Sequence, residues 1–98
     1  MTTLENLKAY VEYQIRDMRS STEWAMNKMA DETRDFRLDW ALDQIDQAEA
    51  KADGAVSFAS IWDDGNKNDQ NFKDECDKLR TMIRDAWFKE RDYALDNI

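Results

Sequence analysis

Residues 4–29 read LENLKAYVEYQIRDMRSSTEWAMNKM, with core-type side chains at every third or fourth position. The same spacing continues as far as Trp40. The members of this first stripe are Leu4, Leu7, Val11, Ile15, Met18, Thr22, Ala25, Met29, Thr33, Phe36 and Trp40. Steps of three and four residues keep side chains on one side of an α-helix. The stretch therefore predicts a long amphipathic helix, and with it an all-α fold.

A second apolar stripe follows Phe36 and lies on a different side of the helix. At 100° of rotation per residue, the two stripes are about 140° apart. The second stripe consists of Leu38, Ala41, Leu42, Ile45, Ala48, Ala52, Val56 and Ala59. Two interpretations stay open: the first helix ends near residues 30–32, or one continuous helix packs against different neighbours in its two halves. Two such faces are more than a few helices would cover, which predicts self-association.

Three further signals divide the chain into helices. Residues 20–23 (SSTE) fit a capping box, and a break near residue 20 is an alternative to a continuous helix. Residues 53–54 (DG) predict a helix end, with a short helix after it. Residues 63–68 (DDGNKN) predict a loop, and the last helix is expected to begin at residue 68 or 69.

The sequence thus predicts an all-α fold with two or three long helices plus a short one. These helices would form an antiparallel bundle or an elongated helical hairpin with coiled-coil-like packing, because heptad positions in the first and last segments are apolar. A chain of 98 residues has room for one core, so residues 1–98 are expected to be a single helical domain.

The charge balance excludes several classes of function. The chain has 22 acidic and 14 basic residues, a formal net charge of −8 and a sequence pI near 4.4. Such a surface repels nucleic acid and anionic membranes, and it attracts proteins with a basic surface. The sequence has no histidine, the commonest general base and metal ligand, and no Gly-rich phosphate loop. We therefore expect no enzyme, no cofactor, no metal ion and no direct contact with nucleic acid or membrane.

The single cysteine, Cys76, bears on the compartment. One cysteine forms no intramolecular disulfide, which suits a reducing cytoplasm. Cys76 falls on the apolar side of the last predicted helix, so we expect a buried structural thiol. No apolar run approaches the ~20 residues that span a bilayer, and no signal-peptide pattern is present at the N-terminus. The expected localisation is cytoplasmic.

A row of carboxylates follows one side of the helix over residues 32–53. The row comprises Glu32, Asp35, Asp39, Asp43, Asp46 and Asp53, with Glu49 at its margin. Like charges on one face destabilise a helix, so the row is either a solubilising surface or a binding surface for opposite charge. Its mean spacing of roughly 5 Å along the axis loosely matches the advance of about 3.4 Å per phosphate in one DNA strand.

Two aromatic residues, Phe36 and Trp40, border this row. Acidic residues edged by aromatic anchors are suited to a protein interface. The candidate partner-binding residues are Glu32, Asp35, Phe36, Asp39, Trp40, Asp43 and Asp46.

The loop before the last helix resembles part of an EF-hand calcium loop. Its matching residues are Asp64, Asn66, Asn68 and Glu75, at positions one, three, five and twelve. Asp69 stands where that loop needs glycine for its sharp turn. A loop that caps the following helix is the alternative interpretation, and a calcium-responsive module is the function that the first one would imply.

In size, acidity and helical pattern, the chain resembles the small acidic proteins that phages and mobile elements encode to block host nucleic-acid enzymes. This resemblance is one of composition and size and involves no motif. It implies a non-enzymatic protein-binding module, an inhibitor or modulator that occupies the basic nucleic-acid-binding surface of a host DNA- or RNA-handling enzyme as a DNA mimic. The alternative hypothesis is a self-associating helical scaffold or adaptor, such as a homodimer, that pairs through the stripe of residues 4–40.

Overall fold

The computed structural model describes residues 3–62 and 69–98, which form three long helices. Helix α1 spans Thr3–Asn27, α2 spans Arg34–Trp62 and α3 spans Gln70–Asn97, and the described residues contain no β-strand. The helices pack side by side in a bundle of 51 × 20 × 16 Å. The all-α prediction is confirmed. Within the described residues, no helix combines the length and the apolar character that crossing a membrane requires.

Helix α2 runs antiparallel to α1 and α3, which are parallel to each other. Lys8 near the start of α1 pairs with Glu75 near the start of α3, with Nζ and Oε2 3.2 Å apart. Arg19, further along α1, pairs with Glu90, further along α3. A core cluster joins the first halves of α1 and α3 to the second half of α2, so α2 runs in the opposite direction.

The apolar face changes near Phe36 because a turn separates α1 from α2. Residues 28–33 form this turn, in which the Glu32 backbone N–H donates to the Met29 carbonyl at 3.0 Å. Thr33 then caps α2, since its Oγ1 accepts from the Phe36 backbone N–H at 3.2 Å. The chain therefore starts a new helix here rather than continuing one long helix with two packing faces.

Helices α1 and α2 are continuous at the two places where the sequence offered a break. In α1, the Ser21 hydroxyl donates to the Asp17 carbonyl one turn back at 2.8 Å, a bond that serine makes inside helices. In α2, Gly54 keeps a negative φ. A glycine inside a helix costs about 1 kcal/mol, which burial of α2 on either side of Gly54 offsets. A break near residue 20 and a helix end at residues 53–54 are wrong, and the expected short helix is the last part of α2.

The last helix begins where the sequence predicted, with Asp69 as its N-cap. The Asp69 carboxylate accepts from the backbone N–H groups of Asn71 at 2.9 Å and Phe72 at 3.4 Å. A capping carboxylate satisfies amide groups that have no partner inside the helix. Residues 64–68, on which the calcium-loop interpretation rests, lie outside the described residues.

Glu75, the last residue of that calcium-loop interpretation, lies on α3 and pairs with two lysines. Its carboxylate oxygens lie 3.2 Å from Lys8 Nζ and 3.3 Å from Lys78 Nζ. The hydrogen bond from Lys8, followed by that from Lys78, lowers the pKa of Glu75 below its ordinary value. Glu75 is thus an ionised link between α1 and α3.

Two apolar clusters form the interior of the bundle. The first consists of Leu7, Val11, Ala52, Val56, Phe72, Cys76, Leu79 and Ile83, and the second of Met18, Ile45, Ala48 and Ala94. Three of the buried positions of α2 are alanines, namely Ala41, Ala48 and Ala52. Small residues at a contact let helices approach closely, so the larger side chains of α1 and α3 fill the space over α2.

Most of both apolar stripes is covered inside one chain, and the exposed members of the first stripe are Thr33 and Phe36. Val11 and Met18 of the first stripe are fully buried, and so are Ile45 and Val56 of the second. The premise that the helices are too few to cover both faces is therefore wrong, because the turn at residues 28–33 lets α2 fold back on α1. Self-association itself stays a prediction.

A charged cluster joins α1 to α3. Arg19 Nε donates to Glu90 Oε2 at 2.6 Å and Nη2 donates to Oε1 at 3.0 Å, which is a bidentate pair. The guanidinium also lies 3.6 Å from the centre of the Tyr93 ring. Glu90 is only 6% exposed, so the guanidinium takes the place of water as a hydrogen-bond donor to its carboxylate. The hydrogen bond with Glu90 raises the pKa of Arg19 above its ordinary value, which keeps the arginine charged.

We expect Arg19→Met to lower the free energy of unfolding by about 2–4 kcal/mol, because it leaves a buried carboxylate without its counter-charge. The double variant Arg19→Met/Glu90→Leu should recover most of that loss, since an apolar pair needs no counter-charge. Urea denaturation followed by circular dichroism measures both. A double variant no more stable than Arg19→Met would contradict this account of the cluster.

Candidate protein interface

The outer surface of α2 is acidic along much of its length. Asp35, Asp39, Asp43 and Asp53 are all exposed there, and these four residues are termed the acidic face. They lie within an arc of about 80° and span about 27 Å along the helix axis. Helix α2 holds six acidic and three basic residues, a larger imbalance than either of the other helices has. A basic partner would therefore meet its strongest field here.

Two other predicted partner-binding residues lie at the end of this acidic face. Glu32 is exposed in the turn before α2, so it is not part of the helical row. Phe36 lies in the first turn of α2 and is 53% exposed. On a helix surface Phe36 neighbours Asp39, three residues on. An exposed aromatic ring thus lies one turn from Asp39 on the surface of α2.

Asp46 falls within the same arc of α2, but its carboxylate is engaged by side chains of α3. Its Oδ1 accepts from Trp87 Nε1 at 2.7 Å and from Arg91 Nη1 at 3.3 Å. The Arg91 guanidinium also lies 4.7 Å from the centre of the Trp87 ring. The charge of Asp46 is therefore balanced inside the protein, which sets it apart from the acidic face.

An open groove lies between α2 and α3 beside this cluster. Its volume is about 610 Å³, and it is lined by Asp46, Glu49, Arg84, Trp87 and Phe88. No lysine or arginine of residues 3–62 and 69–98 pairs with the Glu49 carboxylate. Burial raises the pKa of Glu49, and the nearby charges of Asp53 and Asp46 raise it further. Ionised Glu49 is thus an unfavourable element of the folded protein.

Glu49→Gln should raise the free energy of unfolding at pH 7 by about 0.3–0.5 kcal/mol, a small gain because the groove is open to solvent. A raised pKa in the folded state means that ionisation opposes folding at every pH above it. Near pH 3 the carboxyl is protonated in both states, so the difference should vanish. Urea denaturation of the variant and the parent at both pH values measures this.

Glu75→Gln is the matched control, and its effect on the free energy of unfolding at pH 7 should have the opposite sign. The lowered pKa of Glu75 contributes stability above its ordinary pKa, and this contribution is lost as the pH falls through the lowered value. The control should therefore be less stable than the parent at pH 7. A Glu49→Gln protein that is also less stable than the parent at pH 7 would contradict the assignment.

A shallow hollow lies on the other side of α2, between α1 and α2. It has a volume of about 370 Å³ and is lined by Asp17, Ser20, Ser21, Trp24, Trp40 and Gln44, and it is termed the tryptophan hollow. Trp40 is partly buried there, whereas Trp24 is 54% exposed. A smaller hollow of about 230 Å³ adjoins it across Ser20 and Trp24. The two indoles give this edge of the bundle an anchor surface of the kind found at interface centres.

Trp24 and Asp17 are members of this site that sequence reasoning missed. Both lie outside the first stripe, and Trp24 belongs to α1 whereas all the predicted residues belong to α2 or the turn before it. The available signal was a tryptophan directly before Ala25, on the edge of the stripe. Only the fold shows that this edge meets the Trp40 side of α2.

Two observations on the described residues concern thiol reactivity and metal binding. Cys76 is buried, and burial raises the pKa of its thiol, so the sulfur stays protonated at neutral pH. In residues 3–62 and 69–98, no three histidine, cysteine, aspartate or glutamate side chains converge as metal ligands would. What the described arrangement offers is a surface of exposed carboxylates beside two indoles.

Comparison with known protein families, curated proteins and solved structures finds no match to this chain.

Proposed function

We propose that this chain is a non-enzymatic protein-binding module that inhibits or modulates a nucleic-acid-handling protein. Its acidic face would occupy the basic surface on which that partner holds DNA or RNA. The observation that carries the proposal is the acidic face itself, with four exposed carboxylates on one helix and no lysine or arginine of the described residues paired with any of them.

The cost of this arrangement supports a binding role. Like charges three and four residues apart repel each other along a helix. Asp46 is balanced by Arg91, whereas no lysine or arginine within the described part of the chain pairs with Asp35, Asp39 or Asp43. A basic partner would relieve this repulsion, so the repulsion that is present in the free protein would favour binding.

The aromatic residues beside the acids support a protein as the partner. Phe36 is half exposed, and Trp40 lines the tryptophan hollow one turn further along α2. Charges steer association, whereas aromatic anchors in hollows supply most of the affinity of protein interfaces. Both kinds of group meet at the first two turns of α2, which we take as the centre of the interface.

The triple variant Asp35→Lys/Asp39→Lys/Asp43→Lys should abolish capture of the partner from a lysate of the source organism. The helix should survive, because the three positions are exposed and substitutions at exposed positions change stability little. Capture by the parent should weaken steeply with salt, since exposed charges are screened beyond about 8 Å at physiological ionic strength. The captured protein should bind nucleic acid, and the parent should compete with that nucleic acid.

The triple variant Asp85→Lys/Asp92→Lys/Asp96→Lys is the matched control. These three residues are exposed on α3, so the control makes the same change in net charge on a different surface. It should keep at least most of the binding. Equal loss of partner capture in both variants would mean that total charge, rather than the acidic face, decides binding. Full capture by both variants would contradict the proposal.

A self-associating scaffold or adaptor is the alternative function. Light scattering over a wide concentration range separates the two hypotheses. A monomer whose partner binding is sensitive to salt supports the module, and a dimer that is indifferent to salt supports the scaffold.

A further inference from the structure

The molecule twice places an arginine between an aromatic ring and a carboxylate. Arg19 lies 3.6 Å from the centre of the Tyr93 ring and forms a bidentate pair with Glu90. Arg91 lies 4.7 Å from the centre of the Trp87 ring and donates to Asp46 at 3.3 Å. In both clusters the guanidinium satisfies the carboxylate and covers the ring face at once.

The tryptophan hollow has the ring and the carboxylate of such a cluster without the arginine. Its lining includes two indoles, Trp24 and Trp40, and one charged residue, Asp17. In the part of the chain that the structure describes, no lysine or arginine pairs with the Asp17 carboxylate. The lining of the hollow is therefore negative and aromatic, and Glu23 and Lys28 lie next to it in the smaller hollow that shares Trp24. The α2–α3 groove differs, because it has Arg84 and Arg91 beside its own acids.

We infer that the tryptophan hollow binds the guanidinium group of an arginine on the surface of the basic partner. This inference rests on the proposed function for the nature of the partner, but it assigns a separate site and a specific side chain. The planar guanidinium stacks on an indole and donates in two directions at its edge, which a lysine ammonium does not. The hollow offers acceptors for those donors, since Asp17 is a carboxylate, Ser20 a hydroxyl and Gln44 an amide.

The size and position of the hollow suit this occupant. A volume of about 370 Å³ is near the lower end of the roughly 300–1,000 Å³ range of small-ligand sites, as one side chain would need. Trp40 is also adjacent in sequence to Asp39 and three residues from Asp43. An arginine in the hollow would thus bring the basic groups around it onto the acidic face.

Blocked hexa-arginine and hexa-lysine peptides test the inference with the full chain, because they have equal charge and differ in the group offered. The parent should bind the arginine peptide about three- to fivefold more tightly, as expected for cation–π contact at a partly exposed site. In proton–nitrogen correlation spectra, the indole signals of Trp24 and Trp40 should move with hexa-arginine. The signal of Trp87 should stay, because its Nε1 already donates to Asp46.

Two variants within the hollow and one outside it complete the test. Asp17→Asn and Trp24→Ala should each remove the preference for arginine while circular dichroism stays that of the parent. No lysine or arginine of residues 3–62 and 69–98 pairs with the Asp17 carboxylate, so its replacement breaks no ion pair there, and Trp24 is half exposed. The Asp35→Lys/Asp39→Lys/Asp43→Lys protein should bind both peptides more weakly but keep the preference. Equal binding of the two peptides by the parent, unmoved Trp24 and Trp40 signals, or an unchanged preference in Asp17→Asn would overturn the inference.

The outcomes for the hollow and for the proposed function are separable. An arginine preference located at the hollow, together with no capture of a nucleic-acid-handling protein, would retain the site and reject the proposed function. Capture that depends on the acidic face, without an arginine preference, would retain the function and reject the site.

Discussion

The arrangement of this bundle depends on the small size of the residues through which α2 meets its neighbours. Ala41, Ala48 and Ala52 are buried where α2 packs against the other helices. Ile45 and Val56 are buried on the same side of α2, and the alanines beside them let the neighbouring helices approach closely. Trp40 lies at the edge facing α1, and Glu49 at the edge facing α3. The tryptophan hollow and the α2–α3 groove therefore lie on either side of the packed surface of α2, and the acidic face is exposed between them.

Charge is distributed in this fold according to where it can be balanced. The buried Glu90 has Arg19, Glu75 has Lys8 and Lys78, and Asp46 has Arg91. Apart from Glu75–Lys78, which lies within α3, these pairs join α3 to α1 or α2. Breaking a buried pair is far more costly than breaking an exposed one. Four of the remaining carboxylates of α2 form the acidic face, where water screens them, and Glu49 is half-buried in the α2–α3 groove. A net charge of −8 is thus tolerated, because most of the unbalanced carboxylates among the described residues lie at exposed positions.

Helical periodicity was enough to predict the fold class, and local chemistry was enough to predict the Asp69 cap. The end of α1 was harder to predict, because Thr33 continues the spacing of the first stripe while its hydroxyl caps α2. At Gly54 the sequence predicted a helix end, but α2 continues through it. The local preference of glycine for a helix end is outweighed by the burial of Ala52 and Val56 around it. The acidic face followed from spacing within one helix. The tryptophan hollow could not be predicted from spacing, because Trp24 and Trp40 belong to different helices and meet only through the turn between them.

The acidic face and the tryptophan hollow would act on different steps of association. Exposed carboxylates attract a basic partner from a distance, so they raise the rate of encounter and their effect weakens as salt is added. An arginine held between an indole and Asp17 is partly removed from water, so it would be screened less and would mainly slow dissociation. A mimic built from carboxylates alone would lose its partner at the ionic strength that also weakens nucleic-acid binding. An aromatic site that salt affects less would let a small acidic protein stay bound under conditions in which nucleic acid is released, and that is the advantage a competitor needs.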